Sequence, residues 1–223
     1  MELSDYLDRL LPFIPFLLSL SVHEWAHAWM ATKLGDDTPR HLGRLTLNPF
    51  AHMDMVGTLV LPLMGVPFGW AKPVEFNPIR FTRKVRLSFG IMLTALAGPV
   101  SNLILAGLSL TALLCINRIE LAHTYLQSYP DLHLWGLVND ALRMLIYVNI
   151  TLALFNLLPI PPLDGSHIAE AFMPKSFRPY WDRLCSIGPI LLLALFIIPM
   201  ITDINILAWP RSLAERLIDI AVP

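Results

Sequence analysis

The chain has 223 residues, of which 55% are hydrophobic and only 15% charged, with a formal net charge of −1. A soluble domain carries about 25% charged residues, so this composition and a mean hydropathy of +0.59 exclude an ordinary soluble globular protein. No basic stripe of the kind that nucleic-acid binding requires is present, so no nucleic-acid partner is expected.

Apolar residues gather in four blocks, about 10–32, 88–116, 136–158 and 186–208. Each approaches or exceeds the roughly 20 residues needed to cross a bilayer as a helix. The chain therefore reads as an all-α polytopic membrane protein whose constant partner is the lipid bilayer. No repeat, linker or low-complexity tract divides it, so 1–223 is taken as a single membrane-embedded domain. Cys115 and Cys185 lie at the ends of different blocks, which argues against a structural disulfide.

The first block opens with Glu2, Asp5 and Asp8, acidic where a cleavable signal peptide is basic. Within it lies His23-Glu24-Trp25-Ala26-His27. On a helix, positions i and i+4 share a face, so His23 and His27 can grip one metal ion. The adjacent Glu24 can reach water at that metal and act as general base. Ionisable residues inside a span are costly and normally mark function, which weakens the alternative of a merely structural polar network.

A mixed stretch, about 33–87, follows. Its segment Val56–Trp70 is apolar but holds Gly57, Pro62, Gly65, Pro67 and Gly69, so it is either a short fifth span or a re-entrant element. Lys33, Arg40, Arg44, Lys72, Arg80, Arg83, Lys84 and Arg86 flank it on both sides. Re-entry puts all eight on one face, the cytoplasm by the positive-inside rule. Four transmembrane helices are therefore expected (five or six if further segments cross), with a small re-entrant β-hairpin between the first two. Its strands are expected around Arg44–Leu47 and Thr58–Leu63. Lys175, Arg178 and Arg183 then face inside, and the 117–135 loop faces outside.

Asn102 stands inside the second block and Asp140 and Arg143 near the outer end of the third, where they read as an interfacial anchor. Pro159, Pro161 and Pro162 end the third block and force extended backbone at the inner boundary. That can swing Asp164 back toward a metal, although Asp164-Gly165 reads equally well as a simple turn. Zinc needs a third protein ligand, and the candidates are Asp164, His167, His52, Asp54, Asp140, Asp203 and the outer-loop histidines. Arg211–Ile220 has the pattern of an amphipathic helix on the outer surface.

Four motifs in register carry a resemblance running from about residue 20 to 170. His23-Glu24-Trp25-Ala26-His27 and Asn156-x-x-Pro159-x-x-x-Leu163-Asp164-Gly165 together resemble the paired signature of the site-2 protease family of intramembrane zinc metalloproteases. Between them, Gly69-Trp70-Ala71-Lys72-Pro73-Val74 with Asn77-Pro78, and Ala97-Gly98-Pro99-x-x-Asn102, look like two further motifs of that family. The run Asn48-Pro49-x-x-His52-x-Asp54-x-x-Gly57-Thr58 is similar to its compact members. Two features depart from the pattern: Glu75 stands where a small apolar residue or proline is expected, and no stretch here has the makings of a PDZ domain.

The resemblance implies one Zn2+ per chain held by His23, His27 and Asp164, with Glu24 activating water. It implies a zinc metalloendopeptidase that cuts within or near the spans of transmembrane protein or peptide substrates, in regulated intramembrane proteolysis or in clearance of membrane peptides. Asn102 and Asn156 are candidates for binding substrate backbone or the oxyanion, with helix–helix hydrogen bonding and support of the proline-rich turn as their structural alternatives. His52 is assigned a gating or structural role, and His167 is read as a non-ligand. The compact loops point to a bacterial inner membrane, with the active site toward the cytoplasm. A zinc transporter would spread its ligands along several spans, whereas these collect at one depth. A non-catalytic helix-binding relative is expected to have lost Glu24 or a ligand, and the chain keeps all four.

Overall fold

A computed structural model describes residues 13–60, 71–125, 132–202 and 208–221. Among them are eight α-helices: α1 (Phe13–Lys33), α2 (Thr38–His41), α3 (Pro49–His52), α4 (Leu87–Tyr125), α5 (Leu132–Asn156), α6 (Asp164–Ala171), α7 (Arg178–Ile201) and α8 (Ala208–Ala221). Among the described residues, three stretches are long and apolar enough to cross a membrane: Leu87–Arg118, Gly136–Asn156 and Lys175–Pro199. The fold is thus all-helical and multi-pass. The 21 residues of α1 match these in length, rising about 31 Å at 1.5 Å per residue. His23, Glu24 and His27 in its middle lower its hydropathy, so α1 does not qualify as a span on composition. The fourth expected block is displaced as well: its helix starts at Arg178 rather than near 186, because Pro179 favours the first helical turn.

The expected β-hairpin is not there among the described residues. Arg44–Leu47 is irregular, with a bend at Leu45 and Thr46 rather than a strand, and Thr58 lies in a π-helical turn, Met55–Val60. Helix caps explain the difference. The Asn48 side chain accepts from Phe50 N–H (3.1 Å) with Pro49 starting α3, and Asp54 Oδ1 accepts from Val56 and Gly57 N–H (3.0 and 2.8 Å). These bonds commit the backbone to helical turns. What survives of strand pairing is an isolated antiparallel bridge between Met53 and Ala71, with Lys72 N–H donating to the His52 carbonyl (2.9 Å). The rest of the Val56–Trp70 segment, 61–70, lies outside the described residues, as do Glu2, Asp5, Asp8 and Asp203.

α4 packs most extensively on α5 and next on α1. The buried face of α1 is built from small and polar residues, including Ser19, Ser21, Ala26, Ala28 and Ala31. Small residues let membrane helices approach closely. Toward the other end of the bundle, α8 seats Ala214 and Ile218 against Ala106 and Leu113 of α4 and Ile146 and Ile150 of α5. It leaves Trp209, Leu213, Leu217 and Ile220 exposed, as expected of an amphipathic surface helix. α7 is the loosest element: 11% of its spanning window is buried, against 28% for α4 and for α5. Cys115 and Cys185 are exposed and unpaired.

Candidate metal centre

Two helices and one turn build the site. On α1, the i, i+4 spacing turns His23 and His27 to one side, with their Nε2 atoms 3.0 Å apart. After α5 ends at Asn156, a hydrogen-bonded turn folds the chain back, with Leu158 N–H on Phe155 O, Ile160 N–H on Leu158 O and Leu163 N–H on Ile160 O. Leu163 is extended and Asp164 opens α6, where the helix N-terminus favours a carboxylate. Gly165 permits the turn, since any Cβ there would collide with the Leu157 and Leu158 carbonyls. Asp164 Oδ2 arrives 3.2 Å from His23 Nε2 and 3.3 Å from His27 Nε2. The simple-turn and ligand readings of Asp164-Gly165 are therefore compatible: the turn brings the carboxylate to the two imidazoles.

The far side of each imidazole fixes its tautomer. His27 Nδ1 lies 2.7 Å from the Thr94 carbonyl, which only accepts, so Nδ1 carries a proton and, in the neutral ring, Nε2 holds the lone pair. His23 Nδ1 lies 2.6 Å from Asn102 Oδ1, with the same consequence. With both rings neutral, three electron-pair donors converge within 4.8 Å of one another. Asp164 Oδ2 is buried and faces the two imidazole Nε2 atoms. Such a cluster favours a cation, and two imidazole nitrogens with one carboxylate oxygen are a zinc set that leaves a position for water. Gly98 of α4 backs the pair, since a Cβ there would lie 2.6 Å from His23 Cε1 and from His27 Cε1. The residues present fit zinc.

Glu24 is buried beside His23, and its Oε2 accepts from Val74 N–H at 3.0 Å. The segment carrying Val74 has no regular structure between Ala71 and Asn77. It is pinned at its far end by Asn77 N–H on buried Asp36 (2.5 Å). Glu75 projects outward, so its departure from the family pattern leaves this segment's anchoring intact. A cleft of about 490 Å³ opens from His23 and Glu24 between α1, α5 and α7. Its walls are largely apolar, including Leu20, Leu152, Phe155, Leu193 and Phe196, and Asn156 also lines it.

The remaining candidates fall elsewhere. Asn102 is fully buried behind His23, its amide N–H groups donating to Ser19 O (3.2 Å) and Asn149 Oδ1 (2.7 Å). Asn156 donates one N–H to Leu152 O (3.0 Å). His52 donates through Nε2 to Thr46 O (2.8 Å) and ties the α3 turn to the preceding loop. His167 is exposed and lines a separate cavity with Glu170 and Arg178, Asp54 caps the π-turn, and Asp140 lines a groove beside α8. Sequence reasoning missed Thr94, Ser19 and Asn149. Asn149 carried a signal, being an amide in the middle of an apolar span. The role of Thr94 rests on a backbone carbonyl and had none.

Known proteins give the same picture. A family model described as Peptidase family M50 matches residues 12–196. The chain is 41% identical over 209 residues to YwhC of Bacillus subtilis (strain 168), a candidate zinc metalloprotease, covering 93% of this chain and 89% of that protein. It is 31% identical over 172 residues to Rip2 of Mycolicibacterium smegmatis, also named as a candidate zinc metalloprotease, covering 73% of this chain and 58% of Rip2. With Rip2 of Mycobacterium tuberculosis (strain H37Rv) the identity is 29% over 193 residues, covering 82% and 65%. No solved structure matches the chain.

Proposed function

The chain belongs to peptidase family M50, the site-2 proteases, and from that premise we propose that His23, His27 and Asp164 hold its zinc ion and Glu24 is its general base. The protein is a zinc metalloprotease of a multi-pass membrane fold. What carries the residue assignment is the convergence of two imidazole Nε2 atoms, each with its Nδ1 held by an oxygen acceptor, on one buried carboxylate oxygen.

Zinc held there supplies Lewis acidity, which polarises a carbonyl and makes water acidic enough to react near neutral pH. Glu24 takes the proton from the attacking water and returns it to the leaving amine. The bond from Val74 N–H holds one oxygen of Glu24 in place. Of the two asparagines, Asn156 is the better oxyanion donor, because it lines the cleft whereas Asn102 is sealed behind His23. Asn102 instead orients His23, and His52 braces the loop.

The apolar cleft supports substrates that are transmembrane segments, cut within or near the bilayer. A helix hides its carbonyls, so a substrate segment must unwind to reach Glu24. The irregular stretch around Val74 beside the base offers backbone for such a segment to pair with. The basic residues Lys33, Arg80, Arg83, Lys84, Arg86, Lys175 and Arg178 cluster at the ends of α1, α4 and α7 nearest the site, which supports a cytoplasmic active site in an inner membrane.

Elemental analysis of detergent-purified protein tests the assignment. About one zinc per chain is expected in wild type and Glu24→Gln, with loss in His23→Ala and Asp164→Ala. Full retention in Asp164→Ala overturns the ligand set.

A further inference from the structure

Four fully or nearly buried polar side chains from three helices form one hydrogen-bonded chain: His23 and Ser19 of α1, Asn102 of α4 and Asn149 of α5. His23 Nδ1–H donates to Asn102 Oδ1 (2.6 Å), and Asn102 Nδ2–H to Asn149 Oδ1 (2.7 Å). Asn149 Nδ2–H donates to Ser19 Oγ (2.8 Å), and Ser19 Oγ–H to the Pro15 carbonyl (2.7 Å). Donation runs one way along its whole length. Backbone carbonyls, which only accept, enforce that direction: Pro15 O for the hydroxyl, Leu145 O for the second N–H of Asn149 (2.8 Å) and Ser19 O for the second N–H of Asn102 (3.2 Å).

We infer that Asn149 is a positioning residue for the metal centre: by accepting from Asn102 it keeps the Asn102 oxygen toward His23 and so holds the Nε2 lone pair of His23 on the metal side. Two acceptors fix the Asn102 amide, and Asn149 is the closer of them. Remove it and only the longer bond to Ser19 O opposes an amide flip. A flipped Asn102 presents N–H to His23 Nδ1, which selects the Nε2–H tautomer, and that tautomer has no lone pair for a metal at Nε2. His27 is independent of the chain, because the Thr94 backbone carbonyl fixes its tautomer. The inference rests on the zinc reading of His23, His27 and Asp164 and extends it to a residue that touches none of them.

The test compares wild type, Asn149→Leu and Ile150→Ala in detergent. Zinc affinity is measured by chelator competition, and ring-nitrogen NMR of metal-free, 15N-histidine-labelled protein reports tautomers. Asn149→Leu is expected to bind zinc about 10- to 100-fold more weakly. It is also expected to show a second tautomer at His23 while His27 is unchanged. Ile150→Ala, a cavity in the adjacent apolar cluster, lowers thermal stability but leaves both readouts as in wild type. Should Asn149→Leu fail to fold, Asn149→Val carries the same expectation. Zinc bound normally by wild type, with affinity and His23 tautomer unchanged in the variant, overturns the inference alone. Loss of the tautomer in Ile150→Ala also overturns it, since general loosening then suffices. Wild type that binds no zinc overturns the site reading with it.

Discussion

Gly98→Ala puts the most direct strain on the arrangement of α1 against α4. The added methyl carbon would lie 2.6 Å from the Cε1 atoms of His23 and His27, and nearer still to His27 Nε2. Carbon pairs sit comfortably at about 3.5–4.0 Å, so the helices must part by roughly 1 Å. Metal sites tolerate displacements of about 0.2 Å. Overpacking of this kind costs about 1–3 kcal/mol; if that falls on the bound state, zinc affinity drops about 5- to 150-fold. Chelator competition measures it, and thermal unfolding with and without zinc separates site damage from general instability. Gly107→Ala is the internal control: it lies on the same helix and its Cβ meets nothing within 4 Å. It is expected to leave zinc binding unchanged and to raise helix stability, by up to about 1 kcal/mol. Wild-type zinc affinity and cleavage in Gly98→Ala would show that α4 does not back the histidines.

Glu24→Gln keeps the zinc ligands but removes the base, so cleavage of a transmembrane substrate is expected to fall at least ~100-fold; near-normal turnover excludes Glu24 as the base. Leu193→Trp narrows the apolar cleft from α7, where the side chain is 48% exposed. Cleavage should drop at least several-fold while zinc content and fold are retained, and unchanged cleavage would mean that substrate does not use this cleft. Replacing helix-breaking residues with Leu or Ala in a cleaved substrate span should slow cleavage, since unwinding a better helix costs up to about 1 kcal/mol per glycine replaced; an undiminished rate rules out unwinding as a requirement.

The parts of the site legible in the sequence are those whose chemistry is local. His23 and His27 are one helical turn apart, so the backbone alone brings them together, and Glu24 adjoins them. Asp164 was readable only because prolines break α5 before it; its ligand role needed the family motif, since a turn explains the same residues. The strand assigned to Arg44–Leu47, and the described start of the one assigned to Thr58–Leu63, fail for a local reason too, because Asn48 and Asp54 are caps that outcompete extended pairing. What stayed hidden depends on how α1, α4 and α5 cross. Thr94 acts through its carbonyl and Gly98 through a missing side chain, and neither leaves a mark in composition.

Asn149 lies between these cases. Its polarity inside an apolar span was visible, but its partner 130 positions away in sequence was not. Burying two asparagine amides and a serine in a membrane bundle is costly unless every donor is met. Here Asn102 and Asn149 meet theirs, and donation runs in a single direction that starts at His23 and ends at the Pro15 carbonyl. A network needed only to hold helices together would be as stable if read in reverse. The backbone carbonyls of Pro15, Ser19 and Leu145 remove that freedom, and the direction they impose is the one that leaves the metal side of His23 without a proton.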